Sequence, residues 1–240
     1  MTDYEGLRVP ARVKQAIDTL IETLEKKAKE QLVAVVVHGS ATRSDYREGT
    51  SDVDLVIVLS DDPVSLLEDI GPALQIARSS ARIETMILKR AEIPRSADVF
   101  PLLYEDIARE GVVLCGESPF VDLKVHEAHR RLRIEQELRE ARIRLRAAVA
   151  DTAAGILRLE GVIDRKLKHL RSPLGALLRH AGKAPAHVEL ADVLKAAGAL
   201  LEIDVSALLR AREQPDDALP VLIALVDAAI ACADREAEVV

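Results

Sequence analysis

At 240 residues, 49% of them apolar, the chain is long enough for one large or two modest globular domains, and its composition excludes a disordered protein. A formal net charge of −7 argues against the broad basic surface that sequence-independent nucleic-acid binding needs, while leaving room for a few Arg residues around a nucleotide. With no Trp, two Phe and three Tyr, the core has to rest on Ala, Leu, Ile and Val.

Cys115 and Cys232 lie far apart and show no metal-ligand spacing, which fits a reducing compartment better than a disulfide framework. The start, Met1 to Gly6, has neither a basic cluster nor an apolar run, so no signal peptide is expected. The most apolar late segment, Leu219 to Ala233, is too short to span a bilayer and carries Asp227. The expectation is a cytoplasmic protein with no membrane segment.

In chain order, Val13, Ile17, Leu20, Ile21 and Leu24 recur at helical spacing, with Pro10 at a suitable start. Leu32 to Val37 is a β-branched run too short for a buried helix, and reads as a strand. Ala41 to Thr50 is polar, and Val53 to Leu59 is a second apolar strand closed by Ser60-Asp61-Asp62-Pro63. Pro63 to Ser79 is predicted helical, with a break at Gly71-Pro72. Arg82 to Leu88 alternates as a strand with Glu84 facing away from Ile83 and Ile87. Asp98 to Glu110 reads as a helix and Val112 to Leu114 as a short strand.

After Gly116-Glu117-Ser118-Pro119 no convincing strand remains. Lys124 to about Gly161 reads as one long helix or two, with Ile134, Leu138, Ala141, Leu145 and Ala148 as its packing stripe and Glu135–Arg139 and Glu140–Arg144 as i, i+4 pairs. Shorter helices are expected at Leu174–Arg179, Val188–Leu201, Val205–Ala211 and Leu219–Ala233, the last either a core helix or a dimer seam. The fold class is therefore α/β (α+β): a small mixed-sheet domain over residues 1–118 and an all-α domain over 119–240.

The chemistry concentrates in Val35-Val36-Val37-His38-Gly39-Ser40 and Ser51-Asp52-Val53-Asp54-Leu55. Glycine after a buried strand allows a sharp turn and close approach to a ligand, and the following Ser offers a hydroxyl and an N–H to an anion. Ser40 is equally suited to cap a helix, using the same groups. Asp52 and Asp54, two residues apart at a strand start, project to one face, where a divalent cation is the usual reason to hold two carboxylates together. Glu84 is the candidate third carboxylate, either completing a metal cage or taking the nucleophile's proton; its ordinary alternative is a surface ion pair with Arg78 or Arg82. Arg43, Arg47 and Lys89 are basic residues within reach of a phosphate or simply solvated. His38 reads as a strand-end histidine held by backbone hydrogen bonds. His126 and His129 can share a helix face without a third ligand. His169, His180 and His187 show no zinc-like spacing.

Gly39-Ser40, the polar loop of about a dozen residues and Ser51-Asp52-Val53-Asp54-Leu55 together resemble the signature of the polymerase-β-like nucleotidyltransferase superfamily, most closely its minimal nucleotidyltransferases and kanamycin-nucleotidyltransferase-like members. The resemblance covers roughly residues 10–116, and the later helices are similar to the helical domains that accompany such modules. It implies that Gly39 and Ser40 contact the phosphates of ATP or another nucleoside triphosphate, that Asp52 and Asp54 ligate two Mg2+ ions with Glu84 as third acidic group, and that Arg43 reaches phosphate. The implied reaction moves a nucleoside monophosphate, AMP above all, onto a hydroxyl of an unidentified acceptor and releases pyrophosphate. Ser44 stands where minimal members often carry Gly, and the loop is about one residue longer than theirs. An alternative is an antitoxin-like or regulatory nucleotide-binding module acting through a protein partner; a third is an enzyme modifying an aminoglycoside-type antibiotic. A homodimer is plausible by the same resemblance, and nucleic acid is not an expected partner.

Overall fold

The computed structural model describes Tyr4, residues 6–185 and residues 188–235. The chain divides into two compact units, Met1–Val125 and His126–Val240. In the first, the order is α1 (Ala11–Ala28), β1 (Leu32–His38), β2 (Val53–Leu59), α2 (Val64–Ala81), β3 (Ile83–Lys89), α3 (Pro101–Glu110) and β4 (Val112–Gly116). The four strands form one mixed sheet in the order β3-β2-β1-β4. β1 runs antiparallel to β2 and β4, and β2 runs parallel to β3, with α2 as the crossover that a parallel pair requires.

Period-two alternation sends the two faces of the sheet into two cores. Val35 and Val37 of β1, Val53, Leu55, Ile57 and Leu59 of β2 and Ile83 of β3 pack against α1 and α2 through Ile17, Leu24 and Ile70. Ala34, Val36, Val56 and Val58 face the other way, against Ile93, Tyr104, Ile107 and Phe120. Phe120 is fully buried in that second cluster, a burial that contributes about 1.5–3 kcal/mol. The units therefore part at Val125–His126, past the expected boundary near residue 118, because Phe120 ties residues 119–125 to the sheet.

Two helices of the first unit depart from expectation. α2 runs unbroken through Gly71-Pro72: Pro72 lies on the exposed side, while Leu66 and Ile70 before it and Ala77 and Ala81 after it hold both halves to the core. α3 begins at Pro101 rather than Asp98, with proline in the first turn, where its missing N–H is harmless.

The second unit is helical throughout its described elements: α4 (Glu127–Ala153), α5 (Leu159–His180), α6 (Leu190–Leu201), α7 (Ser206–Leu209) and α8 (Pro215–Arg235). Ile134, Leu138 and Leu145 form the buried stripe of α4, and Glu135–Arg139 and Glu140–Arg144 pair at 2.7 and 3.1 Å as their spacing predicts. The helix expected at Leu174–Arg179 is the end of a 22-residue α5 that continues through a buried Pro173. Ala218, Leu222, Leu225, Val226 and Ala229 bury α8 within the unit, which makes it a core helix. No helix among the described residues is long and apolar enough to cross a membrane.

Candidate active site

Three polar side chains line up across the sheet. His38 ends β1 opposite Asp54, and Asp54 in turn pairs in register with Glu84 on β3. All three stand on the face shared by Val36, Val56 and Val58: His38 lies two residues after Val36, Asp54 two before Val56, and Glu84 is level with Asp54 in the register. Asp54 is half-buried; burial is the largest cause pushing its carboxyl above the usual range, His38 and Arg43 oppose the shift, and Asp52 and Glu84 add to it. Burial likewise pushes His38 below its ordinary value, against the pull of Asp54, Asp106 and Glu110. Asp54 thus feels the carboxylates of both Asp52 and Glu84.

Gly39 explains how Asp54 fits there. Its φ of +75° is left-handed, and a Cβ at this position would collide with Oδ2 of Asp54. The chain then makes a single 3-10 turn, Gly39–Thr42, rather than a long helix, and the Ser40 hydroxyl donates to the carbonyl oxygen of Asp52 at 3.4 Å. The Gly-Ser turn and the Asp-Val-Asp segment are therefore in direct contact.

Sequence-predicted partners also meet groups that the pattern did not anticipate. Oδ1 of Asp52 pairs with Arg82 at 2.7 Å, and Oε1 of Glu84 pairs with Arg78 at 3.0 Å, the surface ion pair weighed for Glu84 from sequence. Arg43, expected to reach phosphate, is nearly buried between Asp45 (3.2 Å) and Glu110 (3.1 Å), so its guanidinium ties the loop to the end of α3. Lys89 bridges Asp61 and Asp62, both at 2.7 Å, at the far end of β3. His126 and His129 face each other at 5.5 Å between ring centroids, and His187 lies outside the described residues.

Among the described residues no three His, Cys, Asp or Glu side chains are gathered around a point where a metal ion would sit, while Asp52 and Glu84 each pair with an arginine. The donor chemistry nevertheless suits a hard divalent cation: carboxylate oxygens, one of them on a residue whose ionised form is disfavoured by burial and by two like-charged neighbours. Sequence reasoning named Arg78 and Arg82 only as partners for Glu84, and placed neither His38 beside Asp54 nor Arg82 on Asp52. The strand-end position of His38 opposite Asp54 was readable once β1 and β2 were paired; the arginines, on the last turn of a helix and its cap, carried no motif.

The nucleotidyltransferase-domain family model matches residues 17–114. No curated protein matches the sequence. Among solved structures, the spectinomycin adenyltransferase AAD(9) of Enterococcus faecialis, determined with ATP and spectinomycin, is similar at 14% identity and a TM-score of 0.51, over 92% of this chain and 99% of that one, a likeness of fold. A nucleotidyltransferase-like protein of Exiguobacterium sibiricum is similar at 12% identity over 90% of this chain and 74% of that one, with a TM-score of 0.31, too loose a likeness to bear on the fold. The stretch matched by the nucleotidyltransferase-domain model lies wholly within the first unit, Met1–Val125.

Proposed function

We propose that the protein transfers a nucleoside monophosphate, AMP from ATP above all, to a hydroxyl of a small-molecule acceptor. The observation that carries this reading is the row His38–Asp54–Glu84 across β1, β2 and β3, with Gly39 left open for the Asp54 carboxylate. In the transfer, the acceptor oxygen forms a bond to the α-phosphorus, the bond from that phosphorus to the oxygen bridging to the β-phosphorus breaks, pyrophosphate leaves, and a carboxylate takes the acceptor's proton. Asp52 and Asp54 would hold Mg2+, which when bound supplies neutralising charge to the phosphates. Gly39 lets the backbone approach the triphosphate closely, and Ser40 offers it an N–H and a hydroxyl. Glu84, beside Asp54 and 43% exposed, is the group with access to an incoming hydroxyl. Arg43 serves by anchoring the loop that follows Gly39–Thr42 rather than by touching phosphate. The spectinomycin adenyltransferase of similar fold was solved with ATP and a small-molecule ligand, which supports ATP and a small acceptor here.

A second reading, a nucleotide-binding module that acts through a protein partner, is favoured by one observation: Asp52 and Glu84 are each satisfied by an arginine. Incubation with Mg2+ and α-labelled nucleoside triphosphates, with candidate hydroxyl compounds, separates the two. The enzyme reading expects label transfer and pyrophosphate release that Asp52→Asn abolishes. Label that never moves, with Mg2+-dependent nucleotide binding intact, would favour the binding module instead.

A further inference from the structure

We propose that Arg82 is a positioning residue of this site: it holds Asp52 by one carboxylate oxygen and leaves the other for the metal–nucleotide, an inference that rests on the function proposed above. Arg82 closes α2 in the left-handed region, φ 54° and ψ 38°, where glycine is the residue of least strain. Lys29 and Glu202 also follow helices with positive φ, so conformation alone assigns nothing. What distinguishes Arg82 is how many points of one segment it grips. Its carbonyl oxygen accepts from the N–H of Val53 at 3.0 Å. Its Nη2 donates to the Thr50 carbonyl at 3.4 Å and pairs with Oδ1 of Asp52 at 2.7 Å. One residue therefore fixes positions 50, 52 and 53, the stretch that delivers the Asp pair to the sheet.

Of these contacts, glycine would keep the backbone bond and relieve the left-handed strain, while losing the two made by the guanidinium. What arginine supplies at this position, and glycine could not, is the reach of its side chain to Thr50 and Asp52. A carboxylate bound through Oδ1 keeps the lone pairs of Oδ2 for a cation, and such a hydrogen-bonded carboxylate is oriented more sharply than a free one. The guanidinium thereby pairs with one of the two carboxylates that crowd Asp54. The bland reading is an ion pair between half-exposed groups, 51% and 45% exposed, which would leave ligand binding untouched.

The test uses the full chain with Arg82→Gly, Arg82→Lys and Arg82→Gln, reading Tm without ligand and, by calorimetry, the binding of Mn2+ together with a non-hydrolysable ATP analogue. Positioning predicts that Arg82→Gly keeps or raises Tm, that Arg82→Gly and Arg82→Gln weaken Mn2+–analogue binding about tenfold, and that Arg82→Lys recovers part of the loss. Unchanged or tighter binding in Arg82→Gly and Arg82→Gln would overturn the role of Arg82 alone. So would a Tm of Arg82→Gly lowered by more than about 5 °C, since Arg82 would then serve the fold. If the unaltered protein bound neither Mn2+ nor the analogue, the proposed function would fail and this inference with it.

Discussion

In the helical unit Arg142 on α4 meets Asp227 on α8 at 2.7 Å, and Arg139 joins Glu135 and Asp234 at 2.7 and 2.8 Å. At the ends of β1, β2 and β3, by contrast, Asp54 sits half-buried with two carboxylates near it and its ionised form disfavoured. Charges in the first setting satisfy one another between elements that already pack; charge in the second opposes the fold that holds it. A group held against its preferred state, beside a glycine that only glycine can replace, marks a place shaped for a ligand rather than for stability.

The sharpest way to break that contrast is Asp54→Asn. It should reduce nucleotidyl transfer on the order of 10²–10³-fold or more while keeping or raising Tm, because a disfavoured charge has been removed; a labelled-transfer assay and a thermal scan read both. A variant that lost stability and activity in parallel would erase the difference between the two regions. Gly39→Ala comes next: the left-handed backbone and the collision with the Asp54 carboxylate should lower stability by roughly 1–3 kcal/mol, measured by urea unfolding, and displace Asp54.

Acid titration sharpens the same point. The raised pKa of Asp54 means the folded protein binds that proton more tightly than the unfolded chain, so its favourable contribution is full below the ordinary carboxylate value of 3.8 and is lost as pH rises through the raised one. The Tm advantage of Asp54→Asn over the parent, measured without metal, should therefore grow with pH across that range. His38 has the opposite sign: its contribution is present above 6.5 and is lost as pH falls through its lowered pKa, and His38→Gln should flatten that loss. The smallest effect belongs to the helical unit, where Arg142→Ala should cost about 0.5–1 kcal/mol, read by the same unfolding experiment.

Much of this was legible in the residues. The β-branched runs of β1 and β2 and the alternation of Ile83, Thr85 and Ile87 were local signals, and they fixed the strands and the face carrying Glu84. The Gly-Ser turn and the Asp pair were equally local, and their nearness follows from pairing β1 with β2. What local pattern failed to reveal depends on tertiary packing. Pro72 lies within an unbroken helix because residues on both sides of it are buried, and Phe120 extends the first unit because Tyr104 and Ile93 wait for it. The pairing of Arg78 with Glu84 was among the sequence's alternatives, but nothing in the spacing of Arg43 or Arg82 announces Glu110 or Asp52 as a partner.

A crystal grown with Mg2+ and a non-hydrolysable ATP analogue tests the central claim most directly. The account predicts the triphosphate over Gly39–Ser40 and a metal ion bound by both Asp52 and Asp54. Nucleotide bound elsewhere, or Asp52 and Asp54 without a shared ion, would contradict it.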